Sequence, residues 1–285
     1  MRAKGWAALC VVAFTGLAAC DRSGDADVGK ALDSVNAIDD NNLSEIMLTV
    51  ADPEEAVSYF RRTLADKPDR VDLQRGLARS LVRAGRATEG VAAYEKVIAH
   101  AEATNADRVA YADALIRNGD WKGAETALNT IPPTHETFER YRIEAMIADV
   151  NKDWKRADSF YETAAGLTTR PAPVLNNWGY SKLTRGDFPG AEKLFIEAIG
   201  KDPNLFTAKN NLVLARGAQR NYTLPLVAMT QVERAQLLHT LGLAAIKQGD
   251  TAVGKGLLEQ AVDTHPQHFE PAVRALAALQ GNVRN

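Results

Sequence analysis

Residues 172–205 read APVLNNWGYSKLTRGDFPGAEKLFIEAIGKDPNL. Within them Trp178 and Gly179 stand together, Gly186 and Asp187 follow, Ala191 and Phe195 lie four places apart, and Pro203 comes near the end. Apolar residues at three- and four-place steps on either side of Gly186 and Asp187 make two short amphipathic helices. The glycine ends the first in a left-handed conformation that costs it little, and the aspartate caps the second. Proline at 203 starts or stops a helix.

Moving outward, the small-then-large pair recurs at Ala56/Phe60, Gly90/Tyr94, Ala124/Leu128, Ala157/Tyr161, Ala191/Phe195 and Gly254/Leu258. The first five step by 34, 34, 33 and 34 residues, a period that marks an array of helical hairpins. About a dozen places upstream, a large residue precedes a small one at Leu43/Ser44, Leu77/Ala78, Tyr111/Ala112, Trp178/Gly179 and Leu241/Gly242. These mark the first helix of each hairpin, with Leu73, Leu77 and Leu81 on its packing face. Gly85, Gly119 and Gly249 repeat the turn of Gly186; Asp120 and Asp250 repeat the cap of Asp187. Pro68 and Pro266 fall between hairpins. Propensity, period and punctuation agree, which is stronger than any of them alone.

These columns resemble the tetratricopeptide repeat. Residues 172–205 and 235–268 match its pattern well; units beginning near Ala37, Val71, Asn105 and Phe138 match more loosely, with Glu144 in a usually apolar column and Lys182 where an aromatic is common. The resemblance implies an all-α superhelical solenoid of antiparallel helix pairs over residues 37–280, elongated and continuous. Its repeats would span about 37–70, 71–104, 105–137, 138–171 and 172–205, then a partial unit at 206–230, a last unit at 235–268 and a C-terminal capping helix at 269–280.

The partial unit is the irregularity. Phe206 to Ala218 reads as a first helix and Gln219 to Tyr222 as a turn, but Thr223 to Thr230 lacks helical punctuation. An extended strap in place of a second helix explains why the last two pairs are 63 residues apart instead of 68. Thr230 caps a new helix from Gln231, with Glu233 three residues on. The strap either covers an exposed interface or, through Thr223, Leu224, Pro225 and Leu226, offers a partner a docking edge.

Ahead of the repeats, Arg2 and Lys4 precede an apolar run from Gly5 to Ala19 that is short for a membrane span. Leu17, Ala18 and Ala19 lead into Cys20, and this LAAC ending resembles a bacterial lipobox. The resemblance implies a signal peptide over 1–19 and a lipidated Cys20 as the first mature residue. An ordinary cleaved signal or a weak membrane anchor is the other reading. Residues 20–36 would be anchor and flexible linker, with helix starting near Lys30 to Val35. Cys10 leaves with the signal and Cys20 is blocked by lipid, so the repeats have no thiol for a disulfide, nucleophile or cysteine metal site. A net charge of −2 argues against general attachment to nucleic acid or anionic lipid.

Catalytic signals fail on inspection, and the chain is expected to be no enzyme and to need no cofactor. Residues 249–256, GDTAVGKG, approach a phosphate-binding loop, but Gly256 replaces the hydroxyl residue that binds magnesium and no strand precedes them, so no nucleotide is expected. His265 and His268 flank Pro266 with only carboxylates nearby, short of a metal set. What remains is a groove lined by first helices. Asn176, Asn177 and Tyr180 on one, with Asn210 and Asn211 at matching places on the next, suit a peptide backbone or, equally, hydrogen bonds between helices. Arg75, Arg79 and Arg83 share one helix face, either solvated or set for a carboxylate ligand.

Lipobox, repeats and the stretch NYTLPLVAMTQVERAQLLHTLGLAAIKQGD (221–250) together resemble the tetratricopeptide lipoproteins of the Tad, or Flp, pilus assembly system. That resemblance implies a pilotin-like helper of the outer-membrane secretin in a Gram-negative envelope, facing the periplasm, with protein partners and a membrane contact through lipid alone. Asp21 after Cys20 leaves the inner membrane open as well as the outer. A general periplasmic scaffold for envelope or peptidoglycan machinery is the alternative.

Overall fold

The structure, a computed structural model, describes residues 43–282, the side chains of 280–282 excepted. The signal, Cys20 and the linker at 20–36 lie outside the described residues, as does the start of the first repeat. All regular structure among those residues is helical. Its helices are α1 (43–49), α2 (Pro53–Asp66), α3 (Val71–Arg83), α4 (Ala87–Ala99), α5 (Asn105–Arg117), α6 (Trp121–Asn129), α7 (Phe138–Val150), α8 (Trp154–Gly166), α9 (Ala172–Thr184), α10 (Phe188–Lys201), α11 (Phe206–Ala218), α12 (Gln231–Lys247), α13 (Thr251–Thr264) and α14 (Glu270–Asn282). They fall into two compact units that divide between Glu102 and Ala103.

In the first unit Ala56 and Phe60 on α2 are fully buried with Leu73 of α3. The Phe60 ring occupies the space a side chain at Gly76 would need, since a Cβ there would sit 2.3 Å from Cε1. This is why a small residue on one helix faces a ring on the next: two helices approach closely only where one gives up its side chain. Arg83 donates to the carbonyls of Met47 (3.1 Å), Leu48 (2.7 Å) and Ala51 (3.1 Å), satisfying the last turn of α1.

The second unit uses the same small-against-large contact, there between the two helices of one hairpin. Gly179 on α9 faces Phe195 on α10, and Gly242 on α12 faces Leu258 on α13. Gly186 takes φ 87° at its turn, as expected, and Asp187 accepts from the Gly190 amide at 3.0 Å. Lys152 and Arg220 hold the same left-handed conformation without being glycine. Both departures from the repeat pattern are compensated. Glu144 is met by Arg140 one turn earlier at 2.7 Å, and Lys182 lies 3.1 Å from Asp187 and 3.4 Å from Asp158.

One cap expectation is overturned. Asp250 makes no side-chain bond to the first turn of α13. Instead it accepts from the Tyr222 hydroxyl at 2.5 Å and from Arg220 at 3.3 Å. A carboxylate gains more from a phenol and a guanidinium than from one amide, and the chain from 219 to 230 brings both to it.

Candidate protein-binding surfaces

Between α11 and α12 the chain is non-helical from Gln219 to Thr230, as the sequence pattern requires. Both ends are pinned. At the first, Arg220 also donates to the Gln248 carbonyl at 2.9 Å beside the Tyr222–Asp250 contact. At the second, Thr230 and Glu233 form a reciprocal capping box, and Glu233 receives the Lys209 ammonium on both oxygens at 3.0 and 3.1 Å. Lys209 is 2% exposed, and this carboxylate is the partner that compensates its buried ammonium. Burial pushes the Glu233 carboxyl up, but the Thr230 amide and the Lys209 ammonium outweigh it and hold it below the usual glutamate range.

Between these pins the strap divides into two faces. Tyr222, Leu224 and Met229 pack on the core of α11 to α14, Val227 packs on the core of α9 to α11, and Pro225 is buried. Thr223, Leu226 and Ala228 face outward, and Leu226 is fully exposed. Of the four residues expected to dock a partner, Thr223 and Leu226 are available, whereas Leu224 and Pro225 are turned inward. The strap thus closes the gap left by a missing helix and also presents an apolar tip.

The groove residues are largely spent on holding helices together. The Asn211 amide donates to Asn176 Oδ1 at 3.0 Å across α9 and α11, both side chains being buried. Thr240 on α12 donates to Asn210 at 2.8 Å. The repeated pairing is the interhelical role that asparagine offered at these places. Asn177 is half-buried and Tyr180 on the same helix is 52% exposed, so Tyr180 is the residue of the set most open to a ligand.

The arginine stripe divides as well. Arg83 caps α1, and Arg75 reaches the Glu102 carbonyl at 2.8 Å. Arg79 is exposed and makes no hydrogen bond or ion pair among the described residues. Two features escaped the sequence reading. A cavity of about 490 Å³ in the first unit, lined by Leu64, Ala65, Leu77, Leu81 and Ala92, has Arg61 and Lys96 at its walls. Small residues at 65, 92 and 93 were its only signal. A polar cluster in the second unit joins Asp158 to the Trp178 indole (2.6 Å) and to Arg185 (2.6 and 2.7 Å), and Asp149 to Tyr161 (2.8 Å) and Ser181 (2.5 Å). Burial raises the Asp149 carboxyl despite its two hydroxyl donors, whereas Arg185 and Trp178 lower that of Asp158 against the same effect.

The apparent phosphate loop is a hairpin turn. Gly249 sits at φ 86°, and a Cβ at Gly254 would lie 2.7 Å from the Gly242 carbonyl oxygen. His268 pairs with Glu270 at 2.8 Å and His265 contacts the Gln267 carbonyl at 2.9 Å, and no group of three ligating side chains forms among the described residues.

Two family models, each described as a tetratricopeptide repeat, match residues 48–107 and 81–147. No curated protein matches the chain in sequence. Among solved structures, a chain of the APC/C hetero-tetramer Cut9–Hcn1 superposes with a TM-score of 0.59 at 13% identity over 82% of this chain, which spans about half (47%) of that one. A tetratricopeptide repeat protein from Parabacteroides merdae superposes at 0.54 with 13% identity, covering 83% of this chain and 95% of its own. The C-terminal part of a repeat protein from Cytophaga hutchinsonii does so at 0.51 with 14% identity, covering 82% and 98%. Such identities speak for the fold alone. Residues 48–147 carry tetratricopeptide repeats by family model, and the hairpins of both units have the tetratricopeptide fold.

Proposed function

We propose that this chain is a lipid-anchored scaffold that acts by binding protein, not by chemistry, in Tad/Flp pilus assembly, as a TadD-type, pilotin-like helper of the outer-membrane secretin. The observation that carries the binding role is the strap: an interruption pinned at both ends, with Leu226 exposed at its tip. Pinning removes much of the ordering cost that a loose segment would meet on binding. Support for the pilus assignment is the layout of lipobox, repeats and strap in the sequence. Lipid on Cys20 fixes one end to the membrane, at roughly 0.8 kcal/mol per buried CH2. Either the strap or the face carrying Tyr180 then captures a secretin segment.

Deleting the protein should reduce secretin multimers, and restoring it with Leu226→Asp should leave them reduced while the helical content is unchanged. Normal multimers and pili in the deletion strain would sink the pilus assignment, and recovery of peptidoglycan enzymes from membranes without pilus components would favour the general envelope scaffold. Cys20→Ser should release the protein from the membrane; a variant that stays bound after signal cleavage contradicts the tether. Fractionation decides between outer membrane and the inner membrane that Asp21 leaves open.

A further inference from the structure

The cavity of the first unit stands where two large side chains are missing. Helix α3 packs on both α2 and α4, and residues of all three line the cavity, with Leu64, Leu77 and Leu81 among its apolar walls. Aligned on Gly90, Ala157, Ala191 and Gly254, the hairpins put Gln74 and Ala93 at the places held by Tyr141 and Phe160, by Leu175 and Leu194, and by Leu238 and Leu257. The Tyr141 and Phe160 rings stand 5.8 Å apart, and the members of each leucine pair are buried in the same core. The α5–α6 hairpin has Arg108 and Ala127 there, and it adjoins the division between the units. In α3 and α4 both large apolar side chains are gone, and a volume of about 490 Å³ is open instead. That is within the roughly 300–1,000 Å³ usual for ligand pockets.

Its polar groups specify what fits. Gln74 Nε2 donates to the Pro68 carbonyl at 2.8 Å, which fixes the orientation of the amide, since the reverse would set two oxygens against each other. Gln74 Oε1 is left buried with no hydrogen-bond partner among the described residues, an acceptor that a ligand can satisfy. At the walls, Glu89 is already shared by Arg61 and Arg86 at 2.7 Å each. Lys96 is exposed and makes no hydrogen bond or ion pair among the described residues. An aromatic ring with a donor fills the space and meets Gln74, and an acidic neighbour meets Lys96. Indole suits the pocket better than phenol, because its N–H only donates, whereas a phenol oxygen brings an acceptor of its own among apolar walls. We propose that this pocket takes a tryptophan side chain from an acidic segment of a partner protein, the indole N–H donating to Gln74 Oε1 and a flanking carboxylate pairing with Lys96. The site uses none of the residues of the strap or of the face carrying Tyr180, and it rests on neither the lipid nor the pilus reading.

The test titrates the full-length protein in detergent with an acetylated, amidated pentapeptide that carries 5-fluorotryptophan between two aspartates, read by its fluorine resonance. The peptide should bind with a Kd below about 1 mM. Among unlabelled competitors, phenylalanine in place of tryptophan should weaken binding at least about fivefold. Asparagines in place of the aspartates should weaken it by a factor of about 1.5 to 5, as should Lys96→Gln. Ala93→Phe, which restores the ring found at Phe160, should lower affinity at least about tenfold with helical content unchanged. Gln74→Leu, which restores the leucine found at Leu175 and Leu238, should erase the preference for tryptophan over phenylalanine. If Ala93→Phe loses helical content, Gln74→Leu decides alone. Leu226→Asp should leave the titration unchanged, so the pocket and the strap stand or fall separately. No binding up to about 1 mM, binding that a folded Ala93→Phe leaves unchanged, or a tryptophan preference that survives Gln74→Leu would overturn the proposal. Free indole competing as strongly as the peptide would overturn it too, and would make a small aromatic molecule the ligand.

Discussion

Lys209 and Glu233 give the sharpest test of how the strap is held. Glu233→Gln keeps the capping box, since glutamine serves that place as well as glutamate, and removes only the charge facing Lys209. Leaving a buried charge uncompensated costs about 3–5 kcal/mol. Glu233 keeps 19% of its side-chain surface and glutamine still offers one acceptor, so the expected loss is about 2–3 kcal/mol. Lys209→Met removes the buried ammonium while filling its space, and should change stability by about 1 kcal/mol or less in either direction. The double variant should return to within about 1 kcal/mol of the parent. Because repeat arrays need not unfold as one unit, urea unfolding followed by circular dichroism should be paired with hydrogen exchange at α11 and α12. Glu233→Gln costing less than about 0.5 kcal/mol, or Lys209→Met costing as much as Glu233→Gln, would refute the claim that Lys209 depends on this carboxylate.

Three further outcomes follow from the same geometry. Asp158 has its folded pKa lowered, so the stability it adds is present above the ordinary aspartate value and is lost as pH falls through the folded one; Asp158→Asn should flatten this acid limb in a pH series of melting temperatures. Asp149 has the opposite shift, its native state gaining relative to the unfolded as pH falls, so Asp149→Asn should cost about 1 kcal/mol or less at pH 7 while Asp149→Leu, which strands the Tyr161 and Ser181 hydroxyls, should cost about 2 kcal/mol or more. Within the false phosphate loop, Gly254→Ala should destabilise by about 1–3 kcal/mol, because the backbone carbonyl of Gly242 cannot yield, whereas Gly256→Ala meets nothing within 4 Å and should stabilise by up to about 1 kcal/mol. Thermal melts decide both, and equal effects at the two glycines would be wrong for this packing.

The asparagines show why a site is harder to read than a fold. In the sequence Asn176, Asn177, Asn210 and Asn211 are one class, two amide pairs at matching places, and their chemistry serves a ligand or a neighbouring helix equally well. Only the distance across α9 and α11 assigns Asn176 and Asn211 to each other, and only the position of Thr240 does so for Asn210. The arginines behave alike. Four-residue spacing put Arg75, Arg79 and Arg83 on one face, but which of them finds a carbonyl depends on α1 and on the chain near Glu102.

From sequence alone came the hairpins, their period, the turns and the place where a helix is missing, because each is set by neighbours within about four residues or by strict repetition: a glycine able to turn left-handed, an aspartate or threonine able to cap, a small residue opposite a ring. Tertiary structure decided which way the interrupted segment faces, which side chains it spends on the core, and that Asp250 serves the strap and not its own helix. Those depend on contacts some 25 to 35 residues apart in the chain, where a long side chain can choose among several partners and the choice is settled by burial and charge once the helices are in place.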